Sequence, residues 1–257
     1  MKQYNTIKLN FYGKTCELIL NRPDKKNAMN FEMVEELSQC FDELQNNKDI
    51  NLVLLKSVSD EFFSAGGDLN TIASISENDA YLMGTEVQNI FAKLTKLPQI
   101  TVACIKGLIM GGGFELCLHA DIRIAHENAK FALPELRHGM IPGAGGISLL
   151  ARVSGISNAL WVLASGKQFS AEEALRMGIV QTVESEENYA NTLTQLSNFL
   201  ENINLEVIST AKHLAWMNLN KDISECLNAE SKEFGSLLNR FGRKKIEEFM
   251  ANRNSKK

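Results

Sequence analysis

Twice in this chain an apolar-rich run leads into a glycine-bearing segment. The runs are Leu52-Val53-Leu54-Leu55 and Ile100 to Ile105, and the segments are Ser64-Ala65-Gly66-Gly67-Asp68 and Met110-Gly111-Gly112-Gly113-Phe114-Glu115. Runs without polar alternation suit strands buried on both faces, and strands of that kind belong to parallel sheets. Parallel neighbours cannot be joined by a tight turn and need a crossover, usually helical. The first segment is followed by a helical pattern at about 79–96 that ends before Pro98. The chain is therefore expected to be α/β, built on parallel strands and crossover helices.

The flanks agree. Thr6 to Phe11 and Cys16 to Leu20 read as two strands split by a turn at Tyr12-Gly13-Lys14. Asn30 caps a helix whose apolar positions are Phe31, Val34, Leu37, Phe41 and Leu44. Ile122 to Ala125 is a further strand, and Pro142-Gly143-Ala144-Gly145-Gly146 a loop. Ser170-Ala171-Glu172-Glu173 has the form of a capping box, with Gly178 as the stop of its helix. From Glu186 onward the pattern is helical, over 189–200, 205–218 and 223–250. A soft boundary is expected near residue 200, between a β/α core over 1–200 and a helical region over 201–257.

Composition removes several classes of function. With 27 basic and 31 acidic residues the formal net charge is −4, unlike a nucleic-acid binder or a polybasic membrane-surface protein. No run approaches the apolar length of a transmembrane helix, and Met1 to Asn10 lacks the apolar core of a secretory signal. Five cysteines without a C-x-x-C pair are a poor disulfide framework and point to a reducing compartment, read here as the cytoplasm. The histidines at 119, 126, 138 and 213 have no i, i+4 spacing, so a metal enzyme is not expected.

Chemistry concentrates around the glycine segments. A loop that leaves a strand and enters a helix can aim free N–H groups at an anionic oxygen. One N–H near Gly67 and one near Gly112 make a two-donor oxyanion hole if their strands are neighbours. The competing reading is a pair of tight turns that pack strand on helix, and the residues alone leave both open. Glu115, in Phe114-Glu115-Leu116-Cys117-Leu118, and Glu135, in Leu133-Pro134-Glu135-Leu136, are carboxylates in apolar settings. Desolvation there raises a carboxyl pKa and suits it to acid–base work. A capping Glu135 and an arginine-paired Glu115 are the structural alternatives. Asp68 reads as an N-cap. His119 reads as a hydrogen-bonded core residue, and His138 as a residue that can line a cleft. Cys104 and Cys117 read as core, and Lys244-Lys245 as a solvated helix face. Gly143 to Gly146 lacks the G-x-G-x-x-G spacing, which weighs against a dinucleotide-binding oxidoreductase.

Read in order, these segments resemble the crotonase (enoyl-CoA hydratase/isomerase) superfamily. The resemblance runs through Asn21-Arg22-Pro23, Asn27-Ala28-Met29, Ser64 to Leu69, Gly111 to Leu116 with Ala120-Asp121-Ile122, and Pro134-Glu135. It continues through Ile141 to Gly146 and the stretch from Gly166 to Gly178, and so covers nearly the whole chain. It implies a spiral of ββα units with a helical C-terminal region used in trimerisation, as a homotrimer or a dimer of trimers. It implies an acyl-CoA thioester substrate, whose carbonyl oxygen is held by the N–H groups of Gly67 and Gly112. The two glutamates of the hydratases fall on Glu115 and Glu135, with Glu115 as base and Glu135 as the protonated partner. The contacts to substrate and CoA map onto Lys25, Lys26, Ala28, Ala65, Gly66, Asp68, Leu69, Asn70, Gly111, Pro134 and Gly143. Asn70 stands where the family often has a lysine. Phe114 and His119 fill positions that are often small or apolar, and either can alter the acyl pocket. Retention of both glutamates makes hydration of a 2-enoyl thioester the leading expectation, with no metal or redox cofactor. A Δ3–Δ2 enoyl isomerase or another CoA-thioester lyase of the family is the alternative.

Overall fold

The computed structural model describes residues 3–254. Strands β1 (Ile7–Tyr12) and β2 (Thr15–Leu20) form an antiparallel hairpin, with Tyr12 opposite Thr15. Helix α1 (Phe31–Asn46) follows, and the Asn30 side chain accepts the Met33 N–H as its cap. Met33, Leu37, Cys40, Phe41 and Leu44 are its buried stripe, the three-and-four spacing of an amphipathic helix on a sheet.

The next three turns of the chain repeat one plan: a long strand, then a short one, then helix. The second turn has β3 (Leu52–Ser57), β4 (Phe62–Ser64), α2 (Leu69–Ala73) and α3 (Glu77–Lys96). The third has β5 (Ile100–Ile105), β6 (Leu108–Met110) and α4 (Gly111–Leu118). The fourth has β7 (Ile122–His126), β8 (Lys130–Ala132), a 3-10 turn over Glu135–His138, then α5 (Gly146–Ser154) and α6 (Ile156–Ser165). The last has β9 (Phe169–Ser170), α7 (Ala171–Arg176), β10 (Thr182–Glu184) and α8 (Glu186–Glu201).

The long strands, with the short β10 at the edge, join one sheet in the order β1-β2-β3-β5-β7-β10, and the other short ones a second in the order β4-β6-β8-β9. Each turn after the opening hairpin thus adds one strand to each sheet, which is a spiral of ββα units. All pairings from β2 through β10 in the first sheet are parallel. In the second, β4, β6 and β8 are parallel neighbours. Leu52 to Leu55 are all buried, as their unbroken apolar run requires.

The capping box at Ser170 and Glu173 forms as expected. Two expectations differ. Gly111 to Glu115 is the opening of α4, not a loop. The helical pattern over 223–250 is interrupted by a π-helical segment, Leu238–Gly242. The short strands β4, β6, β8, β9 and β10 were not foreseen, because two or three residues carry no readable period.

By internal contacts the chain divides into one unit through Ile203 and a second from Asn204. The first holds a continuous apolar core from Ile7 to Val180. The second is α9 (Leu205–Met217), α10 (Ile223–Leu237), the π segment and α11 (Arg243–Asn254). All five cysteines are free and buried. Among the described residues no helix is long and apolar enough to cross a membrane, and no cluster of His, Cys, Asp and Glu has the makings of a metal site.

Candidate active site

Because β4, β6 and β8 are parallel neighbours, their C-terminal ends emerge at one sheet edge. The segments that follow them are the Ala65–Asp68 loop, the first turn of α4 and the Glu135–His138 turn. Ligands of parallel sheets collect at that edge. A cavity of about 320 Å³ opens there. Its wall is largely apolar, with Met29, Val34, Ile72, Val87 and Phe91 among its residues, and Gly67, Gly112, Glu115 and Glu135 also face it.

The two glycine segments touch. A Cβ built on Gly66, at φ +92°, would lie 2.9 Å from the Met110 carbonyl oxygen and 3.3 Å from the Gly112 nitrogen. Only glycine permits that conformation and that approach together. The Ala65–Asp68 loop is pinned on its far side. Ala65 N–H donates to the Lys26 carbonyl, Met29 N–H to Gly66 and Asp68 N–H to Met29. Those bonds leave the Gly67 N–H without a partner among the described residues. Gly112 is the second residue of α4, so its N–H has no carbonyl within the helix to bond. Two free donors thus face one cavity.

The support of this loop escaped the sequence reading. Asn27 is fully buried at φ +52°. Its Nδ2 donates to the Phe63 carbonyl and to Ser57 Oγ, and its Oδ1 accepts the Arg22 N–H. Ser64 Oγ donates to the Asn27 carbonyl and accepts the Gly66 N–H. The Asn-Arg-Pro and Asn-Ala-Met segments are therefore a staple that fixes the glycine loop.

Glu115 is 4% exposed, on α4. Its Oε1 accepts the N–H groups of Ala144 at 2.7 Å and Gly146 at 2.9 Å. The loop before α5 thus behaves as an anion site whose anion is a side chain of the same protein. A glycine-rich loop opening a helix was the signal that could have revealed it. Burial lifts the Glu115 pKa, the two N–H bonds pull it down and nearby Glu135 adds to the rise. Burial prevails and the pKa stands at about 7.

Glu135 lies at the start of the 3-10 turn, with Oε2 buried and unpartnered. A Cβ on Gly111 would meet its Oε1 at 3.0 Å, which packs the carboxylate against the α4 entry. Burial raises its pKa, opposed by its own backbone N–H and by His138. Neither the capping role weighed for Glu135 nor the arginine pairing weighed for Glu115 occurs. The larger upward push falls on Glu115.

The other anticipated residues divide. Ala65, Leu69, Gly111, Pro134 and Gly143 line the cavity, and so does His138. Lys25 and Lys26 are exposed beside the loop, and they do not line the cavity. Ala28, Gly66, Asp68 and Asn70 are outside its wall as well. Asp68 is engaged elsewhere: Oδ1 caps α2 through Asn70 and Thr71 N–H, and Oδ2 takes Arg22 Nη1 at 2.7 Å. That pairing holds its carboxyl below the usual range. Phe114 does not line the cavity. It is fully buried edge-on against Phe131, 5.4 Å between centroids. His119 is also outside the cavity wall. A larger cavity of about 480 Å³ lies between the first sheet and α8, with Lys56, Lys106 and Tyr189 in its wall, and it contains neither glutamate of this site.

Residues 10–255 match the family model described as enoyl-CoA hydratase/isomerase. The chain belongs to that family. It is 29% identical to the short-chain-enoyl-CoA hydratase of Clostridium acetobutylicum over 91% of this chain and 89% of that one. It is 30% identical to a probable enoyl-CoA hydratase of Bacillus subtilis, over 90% of each. Among solved structures, Pseudomonas aeruginosa DspI superposes with a TM-score of 0.92 at 27% identity, over 98% of this chain and 96% of that one. The enoyl-CoA hydratase of Bacillus anthracis superposes at 0.90 with 25% identity, over 98% and 97%. The ββα spiral is the family's fold, and the helical C-terminal region accompanies it.

Proposed function

We propose that this chain is an enoyl-CoA hydratase, adding water across the 2,3 double bond of a 2-enoyl-CoA to give the 3-hydroxyacyl-CoA. The observation that carries the reading is one apolar cavity faced by two carboxyls of raised pKa and by two unpartnered backbone N–H groups. Attack of water at the β-carbon moves charge onto the thioester oxygen. The Gly67 and Gly112 N–H groups stabilise that charge more in the transition state than in the ground state. Removing one such donor typically costs about 10²–10³ in rate.

Glu115 takes the proton of the attacking water. Its Oε1 is fixed by two N–H bonds, which leaves Oε2 to orient the water. Glu135 delivers a proton to the α-carbon from its unpartnered Oε2. Water adds whole, so the reaction is redox-neutral, and two carboxyls handle the protons. The reading therefore calls for no cofactor beyond the CoA of the substrate.

The names of the relatives support this reading, in particular the short-chain-enoyl-CoA hydratase of Clostridium acetobutylicum and the crotonyl-CoA hydratase of Syntrophomonas wolfei. We place the CoA phosphates against Lys25 and Lys26, which stand exposed beside the loop. We read the helical second unit as an assembly region, giving a trimer or a dimer of trimers. The test is steady-state hydration of crotonyl-CoA, followed by loss of absorbance at the conjugated thioester. Absence of turnover with crotonyl-CoA and longer enoyl-CoAs, with conversion of 3-enoyl-CoA instead, would replace hydratase by isomerase.

A further inference from the structure

We propose that His119 is a positioning residue for the glutamate pair, holding through a ring N–H the turn that aims Glu115. His119 is 7% exposed at the C-terminal end of α4, one turn beyond Glu115. Its Nε2 lies 2.9 Å from the Ala144 carbonyl oxygen. A carbonyl oxygen only accepts, so the ring proton resides on Nε2 and Nδ1 is the acceptor, facing Thr95 Oγ1 at 3.5 Å. Ala144 is thus held twice. Its carbonyl is tied to His119, and its N–H donates to Glu115 Oε1.

The next residue, Gly145, has φ +104°, and a Cβ there would meet His119 Nε2 at 3.0 Å. The ring therefore closes directly on the turn that delivers the Gly146 N–H to the same Glu115 oxygen. Phe91 packs edge-on against the ring at 5.9 Å, and Leu149 lies beside Gly145. The groups around the ring are thus apolar or neutral. Burial holds the imidazole neutral, so it keeps one donor and one acceptor at working pH. The charged groups that bear on Glu115 are Glu135 and, through Glu135, His138.

Loss of the anchor has a signed consequence. The two N–H bonds favour the Glu115 carboxylate, so a loosened turn lets its pKa rise. This inference rests on the hydratase reading for its kinetic arm alone. His119→Leu removes the donor at similar volume, and His119→Gln returns an N–H donor. In His119→Leu the hydration kcat should fall about tenfold with KM nearly unchanged. The acid limb of kcat/KM should move up by about half a pH unit or more. His119→Gln should recover most of both. A His119→Leu variant with lowered Tm but unaltered kcat and pH profile would reduce His119 to packing and overturn the inference.

A second measurement needs neither turnover nor a folded leucine variant. In wild-type protein the 15N shifts of the His119 ring, assigned against His119→Gln, should report the Nε2–H tautomer. They should stay unchanged across the pH range in which the Glu115 carboxyl 13C titrates. A ring protonated on Nδ1, or titrating there, overturns the proposal whatever the reaction proves to be.

Discussion

At the scale of single residues, the site is a contest between desolvation and hydrogen bonding, and Glu115 shows which wins. A carboxyl with a folded pKa of about 7 and an ordinary value of 4.5 is neutral in both states below pH 4.5 and costs nothing there. Between 4.5 and 7 the folded chain binds the extra proton, so stability declines as pH rises. Above about 7 the penalty is complete, on the order of 3 kcal/mol. Glu115→Gln should therefore abolish most hydration yet raise Tm at pH 8, with the gain vanishing near pH 4. Thermal unfolding across that range checks the sign. For wild type, kcat/KM should fall below about pH 7 as Glu115 takes up its proton. Asn27 is the opposite kind of residue, with no chemistry and three fixed side-chain bonds. Asn27→Ala leaves the buried Phe63 carbonyl unpaired and places alanine at positive φ, so a loss of about 2–4 kcal/mol in urea unfolding is expected. Both glutamates were legible in sequence, because a charge amid apolar neighbours stands out. The roles of Asn27 and Ala144 were not, since their partners lie 36 and 29 residues away and no local pattern encodes them.

At the scale of elements, the decisive contact is α4 against β4. A Cβ on Gly113 would fall 2.4 Å from Ser64 Cβ, far inside any real contact. Gly113→Ala must push the helix off the strand, carrying the Gly112 N–H away from Gly67. We expect kcat to drop at least a hundredfold and stability to fall by about 1–3 kcal/mol. Retention of near-wild-type kcat would show that the helix tolerates the shift. The long strands and α1, α3 and α7 were readable from unbroken apolar runs, the three-and-four stripe and caps at Asn30 and Ser170. The second sheet was not, because a strand as short as Lys130–Ala132 is defined by its neighbours rather than by its own residues.

At the scale of the whole molecule, the helical second unit displays Phe234, Phe249 and Met250 at 58–69% exposure. Among its described residues only Ile208, Lys212 and Cys226 are buried, too little core for an isolated domain. Light scattering at micromolar concentration should give three or six times 28.6 kDa, and a single-chain mass would refute the assembly reading. On the proposed placement, Lys25 and Lys26 supply the local positive charge that CoA phosphates require of a chain with net charge −4. Neutralising Lys25 and Lys26 together should raise KM for acyl-CoA several-fold at low salt and leave kcat nearly unchanged. The defect should shrink at high salt, because exposed charge pairs are screened. The spiral has a last consequence. Gly67, Gly112 and Glu135 come from successive turns of the chain, so their spacing is set by strand alignment, with Ile109 beside Phe131 and Met110 beside Ala132. Pairing acts as a ruler graduated at about 3.3 Å per residue. A residue added to β6 would slide the α4 entry one graduation past its neighbours, while the same residue added to the exposed bend at Lys48–Asp49 would leave every graduation in place.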